Sequence, residues 1–178
     1  AAACRDGIGI SGIYRPVVQG RLSMYAPHTV TIYNIVQEID PTTFEDVQHN
    51  YITVIRGVFL EAAKAVNVDK SGLENADAVN LYIPFDAEAV DGETGAVKRY
   101  VGPKEFWSAK DKTGIWTLSV SGKGGSTVFV KGEVVEPNSS EQLLEMTHDD
   151  VYDVTKVDEK DFGSADMRHW MVGGVYWP

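Results

Sequence analysis

The sequence predicts a mainly β fold, a small β-barrel or sandwich with one or two short helices and a long loop. Three observations carry that reading. Segments of β-branched and aromatic residues with period-two alternation recur along the chain, and turn residues rich in Gly, Asp and Ser separate them. Helical patterns are confined to short stretches, so strands follow strands, which favours a barrel or sandwich over a βαβ sheet. Residues 24–178 read as a single β-rich domain, because no linker and no internal repeat divides them.

Residues 1–23 read as lying outside the core, as an arm or a leader. Arg5, Asp6, Arg15 and Arg21 are interspersed with Gly7, Gly9, Gly12 and Gly20, and neither a periodic pattern nor the apolar run of a secretion signal is present. Met24 stands directly before the first strand, residues 28–36 (HTVTIYNIV), where Val30 and Ile32 alternate with Thr29, Thr31 and Tyr33. Residues 51–59 (YITVIRGVF) form a second strand. The following stretch, 60–68, contains LEAAKAV and predicts a short helix, weakly anchored because Ala62, Ala63 and Ala65 offer little apolar surface.

Residues 78–84 alternate cleanly, with Val79, Leu81 and Ile83 on one face and Asn80 and Tyr82 on the other. Pro84 ends that ladder, having no N–H to donate. DGETG at 91–95 predicts a turn, followed by a short strand at 97–101. Residues 115–120 and 127–135 flank SGKGGS (121–126), the pattern of a hairpin with a glycine-rich tip. A short helix opens at 137–140, capped by Ser139 or Ser140, and continues through 142–146. Residues 151–157 alternate again, the acidic stretch around Phe162, Gly163 and Ser164 turns the chain, and 167–175 supply the last strand. Gly163, Gly173 and Gly174 mark sites of positive φ or a bulge.

Charge excludes two classes of partner. The 178 residues carry 16 basic and 26 acidic side chains, a net of −10, which argues against gripping duplex phosphates or an anionic membrane surface. Residues 1–23 hold three arginines and one aspartate, leaving the remainder at −12. Cys4 is the single cysteine, which excludes an internal disulfide and a multi-cysteine metal site. No run approaches the ~20 apolar residues of a membrane helix.

No catalytic, cofactor-binding or metal-binding residues are assigned, and the chain is read as not an enzyme. His28, His49, His148 and His169 are too far apart in sequence for a zinc-protease pair. His148, Asp149 and Asp150 form the best local metal cluster, yet neighbouring residues point to different faces, and the plainer reading is the solvated end of the preceding helix. The 121–126 loop lacks both the order and the following helix of a phosphate-binding loop. Trp107, Trp116, Trp170 and Trp177 suit a core or a subunit contact, with an exposed sugar-binding platform as the alternative.

Several motifs occur in order: Ile83-Pro84, Tyr100-x-x-Pro103-Lys104-x-x-Trp107, Trp116-Thr117-Leu118, and Phe129-Val130-Lys131-Gly132-Glu133. Tyr33-Asn34 precedes them, and Val154–Val157, Phe162-Gly163-Ser164, Met167, His169-Trp170 and Val172-Gly173-Gly174 follow. Over residues 24–178 this set resembles a family of small structural proteins from tailed phages and prophages, encoded among the head genes as minor capsid or head–tail connector proteins. Two features depart from that pattern: Ser126 stands where the family carries an acid, and LEAAKAV is more helical.

The resemblance implies a head-completion or stopper-type subunit, a small β-barrel with a long loop. Its partners would be copies of itself in a ring, together with portal, adaptor or tail proteins. Its location would be the virion, and the host cytoplasm during assembly. DNA would at most pass by, and an acidic lumen would repel its phosphates. Residues 85–95, or else 121–126, are the loops expected to enter that lumen. The competing readings are a β-sandwich carbohydrate-binding module and a metal-dependent hydrolase built on His148.

Overall fold

The first strand, β1 (His28–Ile39), is the seam on which the fold closes. The computed structural model describes residues 26–39, 42, 44–63, 66–69, 72–75, 78–120 and 125–176. Along one edge β1 pairs antiparallel with β2 (Asp46–Ala63), and along the other with β9 (Gly125–Lys131). Between them run β3 (Val66–Asp69), β4 (Gly72–Asn75), β5 (Ala78–Pro84), β6 (Ala89–Asp91), β7 (Arg99–Tyr100), α1 (Pro103–Ser108) and β8 (Ile115–Trp116). After β9 come α2 (Glu141–Thr147), β10 (Val151–Lys160) and β11 (His169–Tyr176).

The ladder order is β1-β9-β10-β11-β5-β2, and β2 returns to β1, so six antiparallel strands close a barrel. Closure pairs the edges that an open sheet would present to other chains. One set of alternating side chains fills the interior, among them Val30, Ile32, Ile55, Leu81, Phe129 and Val172, all fully buried. Each such aliphatic side chain contributes about 1.5–3 kcal/mol through burial. The fold is therefore mainly β as the alternation predicts, and of the barrel and the sandwich it takes the barrel.

Two glycines make closure possible. Gly57 has φ +75°, a left-handed conformation that side-chain-bearing residues rarely adopt. It sits at a register shift where His28 faces Val58 but Thr29 faces Arg56. Here β2 bends: up to Val58 it follows β1, and from Phe59 to Ala63 it follows β5. Gly174 is buried, and a Cβ there would stand 2.8 Å from the Phe129 ring and 2.9 Å from Val79. Gly163 has the positive φ its position predicts, +87°, whereas the bulge beside Gly173 and Gly174 lies on β10, at Thr155.

Five expectations change. Leu60–Ala63 is strand, not helix: Leu60 pairs with Leu81 and Ala62 with Val79, and ladder pairing overrides the helix propensity of alanine. Lys64 and Ala65 lie outside the described residues. The 115–135 hairpin does not form: β8 pairs parallel with β7, while β9 pairs with β1 and β10. Residues 132–135 leave the sheet, because Gly132 at φ +96° turns them away. The strand expected at 97–101 reduces to Arg99–Tyr100 with one bridge at Val97. The long loop at 85–95 contains β6, paired with β2, and buries Ala89 and Val90. Helix α1 and the β3–β4 pair add to the predicted elements, since proline-led and four-residue elements carry too short a periodic signal.

Candidate functional site

Among the described residues, the outer wall of the barrel is covered on one side. Helix α2 begins as its sequence predicts, with the Ser140 hydroxyl accepting the Leu143 N–H. Its Leu144 is fully buried on the outward faces of Tyr33, Ile35, Val128, Val130 and Val151. Helix α1 buries Phe106 against Val36 and Val101, with Tyr51 at its ring edge, 6.1 Å between centroids. A strap at 132–139 completes the cover. The Tyr33 hydroxyl donates to the Val134 carbonyl at 2.9 Å and accepts the Glu136 N–H at 3.2 Å. Burial, only partly opposed by the Glu136 N–H, pushes the Tyr33 phenol up to about 12.

The other side carries no covering element among the described residues. There His28 of β1, Phe59 of β2, Tyr82 of β5 and His169 of β11 form a row across four strands, with ring centroids 5.8, 5.9 and 5.8 Å apart. Rings at such spacing in tilted geometry attract one another and stiffen the face. Phe59 is 39% exposed and Met167 60%. They line a groove of about 730 Å³ together with Arg56, Tyr82, Arg168 and His169, and with the carboxylates of Asp86, Glu88 and Asp166. Arg56 donates to Glu133 at 2.7 Å.

The residues singled out in the sequence do not gather into a reactive centre. His148 Nε2 lies 2.9 Å from Glu136 Oε1, while Asp149 is exposed and Asp150 sits 3.8 Å from Lys131 Nζ. Hydrogen bonds from Ser139 and His148 hold the Glu136 carboxyl below the usual range. His148 thus tethers the strap to the end of α2. His28 Nδ1 accepts the Leu60 N–H at 3.0 Å, a structural role, and His49 is exposed on β2. Among the described residues no three His, Cys, Asp or Glu side chains are placed to hold a metal ion. Cys4, Trp177 and residues 121–124 lie outside the described residues.

Trp116 and Trp170 are 3% and 7% exposed, packed with Tyr100 inside the barrel end, so they are not available to stack on a sugar ring. The acids of 85–95 are divided. Asp86 and Glu88 line the groove, whereas Asp91 Oδ2 pairs with the buried Lys98 Nζ at 2.8 Å. Lys98 also donates to the Ile52 carbonyl at 2.9 Å, so this stretch is fastened to β2. The aromatic row is not legible in the sequence. Alternation puts Tyr82 on the face opposite Val79, Leu81 and Ile83, but which residues stand beside it depends on the register of β2, β5 and β11.

Among the described residues no helix is long and apolar enough to cross a membrane. No curated protein and no solved structure matches the chain. Residues 25–175 match the model of a family of unknown function, DUF6751, and the chain belongs to that family.

Proposed function

We propose that the protein is a virion structural subunit of a tailed phage or prophage, of the head-completion or stopper type, acting at the head–tail junction through ring assembly and protein–protein contacts. The observation that carries this reading is the aromatic face that no described element covers. Phe59 and Met167 stay exposed there, beside the half-buried rings of Tyr82 and His169. Exposed aromatic and Met residues in a concave site are the composition of protein contact surfaces. The resemblance carried by the ordered motifs over residues 24–178 supports the particle and the location. The partners are copies of this chain and the portal, adaptor or tail proteins, in the virion and, during assembly, in the host cytoplasm. The net charge of −10 keeps passing DNA from adhering.

The test has two arms. Native mass measurement of the purified chain should give a discrete ring-sized assembly, and disrupting the gene in a particle-forming host should yield filled heads that lose DNA or lack tails. A chain that stays monomeric, in a host whose particles are unchanged by its loss, would end this reading.

A further inference from the structure

We propose that residues 14–25 of this chain, which lie outside the described residues, occupy the aromatic groove of their own barrel. The proposal stands apart from the ring reading. It names the occupant of the groove in the free subunit, which an incoming partner would displace.

The path of the chain supports it first. Ala26, where the described residues begin, itself lines the groove together with Phe59, Tyr82 and Met167. The preceding chain is thus delivered to this face, away from the wall that α1 and α2 cover. The groove crosses β2, β5 and β11, which are neighbours in the sheet, a width of two strand spacings or about 10 Å. Twelve extended residues reach about 40 Å, so the segment is long enough to cross it.

Chemistry supports it second. Phe59 and Met167 leave apolar surface on the outer wall. Residues 14–25 include Val17, Val18, Leu22, Met24 and Tyr25, side chains that gain by leaving water against such a surface. A segment joined covalently to its site acts at an effective concentration in the millimolar range, so a modest affinity is enough to keep it bound.

Charge points the same way. The lining sets Asp86, Glu88 and Asp166 against Arg56 and Arg168, and Arg56 already pairs with Glu133 at 2.7 Å. The groove is therefore acidic on balance. Residues 14–25 hold Arg15 and Arg21 and no acid. Residues 1–25 together carry +2, opposite in sign to the −12 of the rest of the chain. Such complementarity draws the segment to the barrel and selects this face. Asp86 and Asp166 already have interactions, so the exposed Glu88 is the carboxylate to reverse in a test.

The test uses the full chain in a Cys4→Ser background, with Met167→Cys at the groove and a short bis-maleimide as the linker. Gln19→Cys supplies the second thiol, and Ser23→Cys supplies it in a parallel variant. Both pairs should link within one chain, giving a product of monomer mass. Arg15→Glu with Arg21→Glu should slow linking by about tenfold, because attraction to the groove becomes like-charge repulsion. Arg5→Glu, outside the segment, should leave the rate unchanged. Glu88→Arg should slow linking, and combining it with Arg21→Glu should restore part of the rate. Equal rates with and without charge reversal, or no linking by either pair, would overturn the proposal. Links formed mainly between chains would overturn it too, by giving the groove to a neighbour's segment. The ring reading is decided separately, by native mass.

Discussion

Replacing Asn34 by alanine should be among the most damaging single changes in the protein. Asn34 is fully buried on β1. Its Nδ2 donates to the Thr117 carbonyl at 2.9 Å and to Thr127 Oγ1 at 3.1 Å, and its Oδ1 accepts the Thr117 N–H at 3.2 Å. The backbone of Thr117 lies just beyond β8, where no ladder serves it, so this side chain stands in for a strand neighbour. Alanine would leave the buried N–H and C=O of Thr117 without partners, each costing about 1–3 kcal/mol. Adding a small cavity, the expected loss is about 4 kcal/mol, a large part of the 5–15 kcal/mol typical of a domain. Urea unfolding should show the midpoint falling at constant slope. Hydrogen exchange should show residues 116–119 losing protection first. A change under about 1 kcal/mol, or unaltered exchange there, would refute the claim that Asn34 replaces a ladder.

The same reasoning gives the opposite sign at Thr53, whose buried Oγ1 has no hydrogen-bond partner. Thr53→Val should be neutral or should stabilise by up to about 1 kcal/mol in the same titration. Gly174→Ala drives a methyl against the Phe129 ring and should destabilise by about 1–3 kcal/mol, and pairing it with Phe129→Leu should recover part of that loss. The Asp91 carboxyl is raised by burial, but the Lys98 and Thr94 hydrogen bonds and the Lys98 charge outweigh this and hold it below its ordinary value. Its stability contribution is thus present above the unfolded carboxylate range near pH 4 and lost as pH falls through the lower folded value. Asp91→Asn should flatten that acid limb of the stability profile. Tyr33 titrates in the other direction. Its raised phenol contributes stability below about pH 10 that is lost as pH rises towards 12, and Tyr33→Phe should remove this alkaline decline.

Strand character was legible wherever a side-chain alternation stood alone. Val79, Leu81 and Ile83 point inward as their spacing predicts, and Ser140 caps α2 as its position predicts. Legibility failed where pairing came from far along the chain. LEAA is helical by local propensity and strand by virtue of the β5 ladder. Residues 115–120 resemble half of a hairpin, yet the backbone of Thr117 is answered by Asn34, more than eighty residues away. The candidate site suffered most, because its rings come from four strands that are scattered in sequence and adjacent only after closure.

By itself the sequence determined that this chain builds strands, which of their faces is apolar, and that its surface is strongly acidic. These are properties of neighbouring residues, and period-two alternation records them directly. The tertiary structure decided that the sheet closes on β1 and that α1 and α2 cover one wall, while no described element covers the other. It also brought His28, Phe59, Tyr82 and His169 into one row. Those outcomes depend on strand register, and shifting one strand by a single residue would reverse which side chains face the solvent. Register is set by the bend at Gly57 and by the packing of the whole barrel interior, so no local segment contains it.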